Sequence, residues 1–88
     1  MEVKYFIGYH YGVFTDDFGV RKDYASVFVV CDFDGTPGPE YNFKGMKAEK
    51  LACVSKDVVL AVSGLNVGDL VELQFNQKGK VTKITPVK

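Results

Sequence analysis

The sequence predicts an all-β fold, and three observations lead to this prediction. Several segments of the 88-residue chain alternate apolar residues with polar or mixed ones, which is the period of two typical of strands. These segments are rich in aromatic and β-branched side chains, which strands favour. Clusters of Gly, Pro, Asn and Asp separate them at strand-sized intervals. We therefore expect residues 1–88 to form one domain built from about five short strands.

The first two predicted strands form a long hairpin. The period of two runs through residues 3–14, where Gly8 and Gly12 indicate a bulge or a tight bend. Residues 15–19 have the composition of a hairpin loop. The second strand is expected from about residue 20 to residue 33.

The second half of the chain predicts three more strands and one ambiguous segment. Residues 34–39 break the pattern, and a third strand is expected from near Tyr41 to Val54. Residues 55–63 fit either a strand or one or two helical turns, and we favour the short helix. The last two strands form a hairpin around a four-residue loop that ends in Gly79. Five strands with an insertion after the third have the connectivity of a small OB-like barrel, with an SH3-like barrel as the main competitor.

The charge balance limits how the protein can bind nucleic acid. Eleven basic and eleven acidic residues cancel, which counts against binding by bulk attraction but leaves room for a local basic groove. Apolar runs fall short of the roughly 20 residues that span a bilayer, and the N-terminus lacks the layout of a signal peptide. We expect a cytoplasmic protein without a membrane partner, in which Cys31 and Cys53 are reduced, buried thiols.

The sequence offers no constellation of catalytic residues. His10 is the single histidine, and neither a serine nor a cysteine lies in a recognisable nucleophile motif. Asp16 and Asp17 are neighbours at a hairpin tip, where Asp is more often a turn residue than a metal ligand. We therefore expect no enzyme activity, no metal, no cofactor and no small-molecule substrate.

The five Tyr and seven Phe are more rings than a thin core can hold. Those expected in the core are Phe6, Phe28, Phe33 and Phe43, joined in the first strand by Val3, Tyr5 and Ile7. Surplus rings on hairpins, with cations nearby, are typical of proteins that stack the bases of single-stranded nucleic acid and contact its phosphates. The candidate stacking residues are Tyr9, Tyr11, Phe14, Phe18, Tyr24 and Phe75, and the candidate phosphate contacts are Arg21, Lys22, Lys78 and Lys80.

Two segments resemble a known family. The first hairpin, GVFTDDFGVRKDY at residues 12–24, and the tail, KVTKITPVK at residues 80–88, resemble the small single-stranded-DNA-binding proteins of filamentous phages, the gene V type, and of plasmids and conjugative elements. The resemblance implies an OB barrel, a homodimer and cooperative, sequence-tolerant binding in the replication or transfer of a mobile element. It also implies that Phe18 lies at the tip of the DNA-binding loop, with Arg21 on phosphate and Tyr24 nearby.

The chain departs from that family in two respects. It has one arginine where the family typically has several, and three acidic residues accompany the DNA loop: Asp16, Asp17 and Asp23. These carboxylates would repel phosphate.

The predicted function is single-stranded nucleic-acid binding, DNA before RNA, by a phage or mobile-element protein without strong sequence preference. The alternative is a non-catalytic interaction module, a homodimeric β-barrel whose rings form an interface between proteins. In that case Lys78 and Lys80 would protect a solvated strand edge instead of contacting phosphate.

Overall fold

The computed structural model describes residues 2–87, which form one five-stranded sheet and one short helix. In chain order the elements are β1 (Glu2–Thr15), β2 (Arg21–Cys31), β3 (Lys47–Ala52), α1 (Lys56–Leu60), β4 (Leu70–Phe75) and β5 (Val81–Pro86). The strand order is β3-β2-β1-β4-β5, and every neighbouring pair is antiparallel. The mostly β fold, its five strands and the short helix between the third and fourth strands are thus confirmed.

The core lies between the sheet and α1, which packs against β1, β2 and β5. Val58 and Val59 of α1 are buried there together with Leu73 of β4, which has no exposed surface. The full set of buried apolar residues is Phe6, Ala25, Val27, Val29, Cys53, Val58, Val59, Val62, Val71, Leu73, Val81 and Ile84. Phe6 is therefore in the core, as its sequence context predicts.

A bulge in β1 changes which of its side chains face the core. The pairing with β2 shifts between Phe6 and Gly8, at one of the two glycines from which the sequence predicts a bend. Before the bulge the even-numbered Phe6 is buried, and beyond it the odd-numbered Tyr9 packs against the core. The sequence-based core assignment of three odd-numbered residues, two before the bulge and the bulge residue itself, is wrong, because all three are exposed: Val3, Tyr5 and Ile7.

The connection between β2 and β3, residues 32–46, has no regular structure, although a third strand is expected from near Tyr41. Gly45 has a φ of 84°, a conformation that suits glycine and turns the chain just before β3. The ring centroids of Phe33 and Phe43 are 5.2 Å apart, and those of Phe43 and Tyr41 are 5.5 Å apart. Phe33 and Phe43 therefore pack on rings of this segment and do not belong to the core, contrary to expectation.

The two edge strands of the sheet meet at one point. Cys53, just after β3, forms an isolated parallel bridge with Val81, the first residue of β5. The backbone N–H of Val54 donates to the Val81 carbonyl at 3.0 Å, and the N–H of Cys53 donates to the Ala25 carbonyl of β2 at 2.9 Å. These contacts bring the start of β5 next to the middle of β2.

No helix within residues 2–87 is long and apolar enough to cross a membrane.

Candidate nucleic-acid interface

The face of β1, β2 and β3 that points away from the core, called here the outer face, is defined by the alternation along β2. Ala25, Val27 and Val29 are buried in the core, so Tyr24 and Phe28 lie on the outer face. The strand pairing then assigns their outer-face neighbours: Phe14 opposite Lys22, Gly12 opposite Tyr24, His10 opposite Ser26 and Lys50 opposite Phe28.

Four aromatic side chains form a continuous run on the outer face, which we call the ring track: Phe14, Tyr24, His10 and Phe28. The ring centroids of Phe14 and Tyr24 are 6.2 Å apart, and those of Tyr24 and His10 are 5.5 Å apart. The His10 and Phe28 centroids are 5.1 Å apart, with planes at 74°. From the Lys22 pair to the Phe28 pair the track covers about 20 Å of strand.

A glycine makes room for the central ring of the track. A Cβ placed on Gly12 would lie 2.5 Å from the Tyr24 Oη and 2.7 Å from its Cζ, too close for any real contact. The Tyr24 ring therefore lies directly over the Gly12 backbone, the arrangement in which an aromatic residue covers a cross-strand glycine. By contrast, a Cβ on Gly8, which lies on the same strand opposite Phe28, would meet no heavy atom within 4 Å.

Lysines flank the track at both ends. Lys50 on β3 is exposed beside Phe28, and Lys22 on β2 is exposed beside Phe14. The Lys22 ammonium lies 3.4 Å from the Asp16 carboxylate, so part of its charge is shared within the hairpin. Because exposed lysines move freely, both can reach a phosphate that follows the rings.

The first hairpin tip is closed by its own aspartate. The Asp16 Oδ1 accepts the backbone N–H groups of Phe18 and Val20, each at 2.9 Å. The pKa of the Asp16 carboxyl is below its usual value, chiefly because the carboxylate accepts the Val20 N–H. Hydrogen bonds from the Phe18 N–H and the Lys22 ammonium lower this pKa further. This fixed turn displays Phe18, whose ring is 92% exposed.

The second hairpin tip, between β4 and β5, repeats this geometry. The Asn76 Oδ1 accepts the N–H groups of Lys78 and Lys80 at 2.9 and 3.0 Å, and Gly79 has the same φ of 80° as Gly19 in the first tip. Lys78 therefore occupies the position that Phe18 has in the first tip. One tip displays a ring and the other an ammonium group, both on turns fixed by side-chain hydrogen bonds.

The predicted site residues are divided among several places. Phe14, Lys22 and Tyr24 come together on the outer face, with Phe18 at the tip beyond them. The opposite face of the hairpin, continuous with the core, carries Tyr9, Tyr11 and Arg21, and the Tyr9 and Tyr11 rings stack at 6.2 Å. The remaining three are on the second hairpin, where Lys78 and Lys80 are exposed and Phe75 packs partly buried against the core.

Three members of the outer-face group are missing from the sequence-based prediction: His10, Phe28 and Lys50. Phe28 is assigned to the core from sequence but is half-buried on the outer face. The signal that identifies it is the alternation of β2, in which small and branched residues occupy the other face without interruption. Once Phe28 is on the outer face, the pairing of β1 and β3 brings His10 and Lys50 to it.

The polar groups at the far end of the sheet interact with one another. Lys4 donates to Glu49 in an ion pair, which holds the pKa of the Glu49 carboxyl below its usual value. The Cys31 thiol donates to Glu49 at 3.3 Å, and burial raises the pKa of that thiol. Burial likewise raises the pKa of the Cys53 thiol. Both thiols are therefore poor nucleophiles, and the side chains of residues 3–87 include no group of three that could hold a metal ion.

Comparison with known proteins gives no relative: no family model, no curated protein and no solved structure matches this chain.

Proposed function

We propose that the protein binds single-stranded nucleic acid, DNA in the first instance, along the ring track. The observation that carries this proposal is the run of four contacting aromatic side chains on the solvent side of the sheet, with lysines at both ends. Rings that stack bases and cations that contact phosphates are the two components of sequence-tolerant single-strand binding. Because neither component reads base edges, the proposal implies weak sequence preference.

We further propose that the sheet is a small OB-like barrel. The parallel bridge between Cys53 and Val81 supports closure, because it joins the two edge strands. Cys53 also donates to the Ala25 carbonyl of β2, so the start of β5, which bridges to Cys53, is close to the middle of β2 where Tyr24 precedes Ala25. Lys78 and Lys80 would then continue the ring track, in agreement with the use of this face and its flanking loops by OB folds.

Stacking would supply most of the affinity. Tyr24 is 41% exposed and Phe14 is 47% exposed, so both retain ring surface for a base. Each stacked base is worth about 1–3 kcal/mol, and two bases would contribute about 2–6 kcal/mol. Because the net charge is zero, we expect lower affinity than in strongly basic binders and a steep loss with added salt.

The acidic residues of the first hairpin are a smaller obstacle than the sequence indicates. The Asp16 carboxylate accepts two backbone N–H groups, which compensate part of its charge inside the loop. Asp17 is exposed at the tip, and Asp23 is on the face opposite the ring track. The charge that a bound phosphate meets on the outer face is therefore mainly that of lysines.

Tyrosine fluorescence tests the proposal, because the chain has five Tyr and no Trp. Titration with a thymidine oligomer at low salt should quench the emission, and about 0.2 M salt should weaken the binding by a large factor. Tyr24→Ala removes the tyrosine of the ring track, so its affinity is measured by the anisotropy of a labelled thymidine oligomer; it should fall by roughly 5- to 150-fold, the equivalent of one stacked base. The matched control is Tyr41→Ala, since Tyr41 is 49% exposed in the β2–β3 connection, away from the track. No binding by the parent protein, or equal losses in both variants, would contradict the proposal.

A homodimeric interaction module is the second candidate, and the other face of the first hairpin favours it. Tyr11 and Val13 are about half exposed there, and Arg21 and Asp23 share this face two residues apart. A two-fold axis could pair Arg21 of one copy with Asp23 of the next around an apolar centre. Such a dimer would leave the outer face free to bind DNA. We also propose, from the family resemblance, that the protein belongs to a phage or a mobile element. Light scattering at micromolar concentration should give the mass of a dimer, and Tyr11→Ser should reduce it to that of a monomer.

A further inference from the structure

His10 is at the centre of the ring track, yet its side chain serves no evident structural purpose there. Its imidazole is exposed and contacts the rings of Tyr24 and Phe28 at an edge, with planes at 77° and 74°. No carboxylate within residues 3–87 forms an ion pair with it. An apolar ring would make the same contacts, so the polar and chargeable character of the imidazole is free for a ligand.

The groups facing His10 on the outer face carry no negative charge. On its own strand the neighbours are Gly8 and Gly12, and across β2 they are Tyr24, Ser26 and Phe28. On β3, one strand further, Ala52 pairs with Ser26 and Lys50 pairs with Phe28. The titratable members of this set are Tyr24 and Lys50, of which Lys50 is a cation at neutral pH. A proton on His10 would therefore add to the charge of Lys50 and meet no carboxylate partner among the side chains of residues 3–87.

We propose that His10 is a titratable phosphate contact of the ring track, so that lowering the pH strengthens the binding of single-stranded nucleic acid. The inference depends on the proposed function and adds a binding residue and a regulation to it. An imidazole gains its charge as the pH falls through about 6.5. With a proton on the imidazole, His10 and Lys50 would flank Phe28 with two cations, and with a neutral imidazole Lys50 alone would contact the backbone there.

The size of the effect follows from counterion release. Each phosphate contact on a single strand makes the slope of log K against log salt more negative by about 0.7. Between about 0.05 and 0.2 M salt, one added contact therefore increases the loss of affinity by about 2.6-fold. The pH change acts on few other groups, because the chain has a single histidine and both thiols have raised pKa values.

The experiment measures binding of a thymidine oligomer over this salt range at about pH 7.5 and about pH 5.5, where an ordinary imidazole is mainly neutral and mainly charged. The parent protein should bind at both pH values, with a slope more negative by about 0.7 at the lower one. His10→Gln keeps a polar side chain that never gains charge, and its slope should be the same at both pH values. His10→Lys should have the steeper slope at both.

The outcomes separate this inference from the proposed function. Binding by the parent at both pH values with one slope, or a pH effect that His10→Gln retains, overturns the role of His10 and leaves the ring track as the binding site. Absence of binding at either pH overturns the proposed function, and this inference falls with it.

Discussion

Gly12 is the position at which the ring track can be disturbed most specifically. Gly12→Ala adds a single methyl group, which would lie 2.5 Å from the Tyr24 Oη, 2.7 Å from Cζ and 2.9 Å from Cε1. An ordinary carbon contact needs about 3.5 Å, so the ring must move by about 1 Å at its outer end. A displaced side chain about 30° from its rotamer costs about 0.5–1.5 kcal/mol.

The effect on binding should exceed the effect on stability. A Tyr24 ring pushed off Gly12 changes its contacts with His10 and Phe14, which are 5.5 and 6.2 Å away between centroids. If one base loses its stacking surface, the affinity for a thymidine oligomer should fall by roughly 5- to 150-fold, which corresponds to about 1–3 kcal/mol. Because a shift of about 1 Å at the end of the ring is a rotation well below 30°, urea unfolding should show a loss of at most about 0.5 kcal/mol in the free energy of unfolding.

Gly8→Ala is the matched control for this prediction. Gly8 is on the same strand and face, it has no positive φ, and its Cβ would meet no heavy atom within 4 Å. This variant should bind like the parent and gain up to about 1 kcal/mol of stability, because alanine restricts the unfolded chain. Equal behaviour of the two variants would refute the reasoning, as would a loss from Gly12→Ala that persists in a Tyr24→Ala background.

Three further predictions concern the core and the first hairpin tip. Leu73→Ala should lower the free energy of unfolding by about 2–5 kcal/mol in urea titrations, because Leu73 is fully buried, and a loss below 1 kcal/mol would place it outside the core. The depressed pKa of Asp16 means that the loop is fully stabilised above about pH 4 and loses this stabilisation as the pH falls through the lower folded-state pKa. The protection of the Phe18 and Val20 amides against exchange, relative to their intrinsic rates, should therefore fall only in strong acid, and it should fall at neutral pH in Asp16→Ala but not in Asp16→Asn. Phe18→Ala should weaken oligonucleotide binding without changing the thermal midpoint, because Phe18 is 92% exposed, and a lower midpoint would assign it a packing role.

The fold was predictable from the sequence where local signals decide it. The hairpin loops, the bend near Gly8 and the short helix between β3 and β4 all follow from turn residues and periodicity. The sequence does not predict that the third strand begins only at Lys47. The rings of residues 32–46 pack on one another, and such tertiary contacts are not visible in local sequence patterns. The alternation of apolar and polar residues around Tyr41 is equally compatible with a strand and with the observed packing of Tyr41 on Phe43.

The site was predictable in part, for a reason that lies in the bulge of β1. A single unpaired residue between Phe6 and Gly8 exchanges the faces of the strand, so Tyr5 becomes exposed and Tyr9 approaches the core. Sequence alternation alone cannot show where such an exchange occurs. Phe28 is expected in the core because its ring is large and apolar, but the alternation of β2 shows that it shares a face with Tyr24 and not with the buried Ala25, Val27 and Val29.

The most direct test of the ring track is a titration followed by the aromatic NMR signals of the protein. Addition of a thymidine oligomer at low salt should shift and broaden the ring signals of Tyr24, Phe14 and Phe28, while Tyr41 in the β2–β3 connection stays unchanged. Shifts confined to Tyr11, on the opposite face of the hairpin, or no shift of any ring at high oligomer concentration, would contradict binding on the outer face.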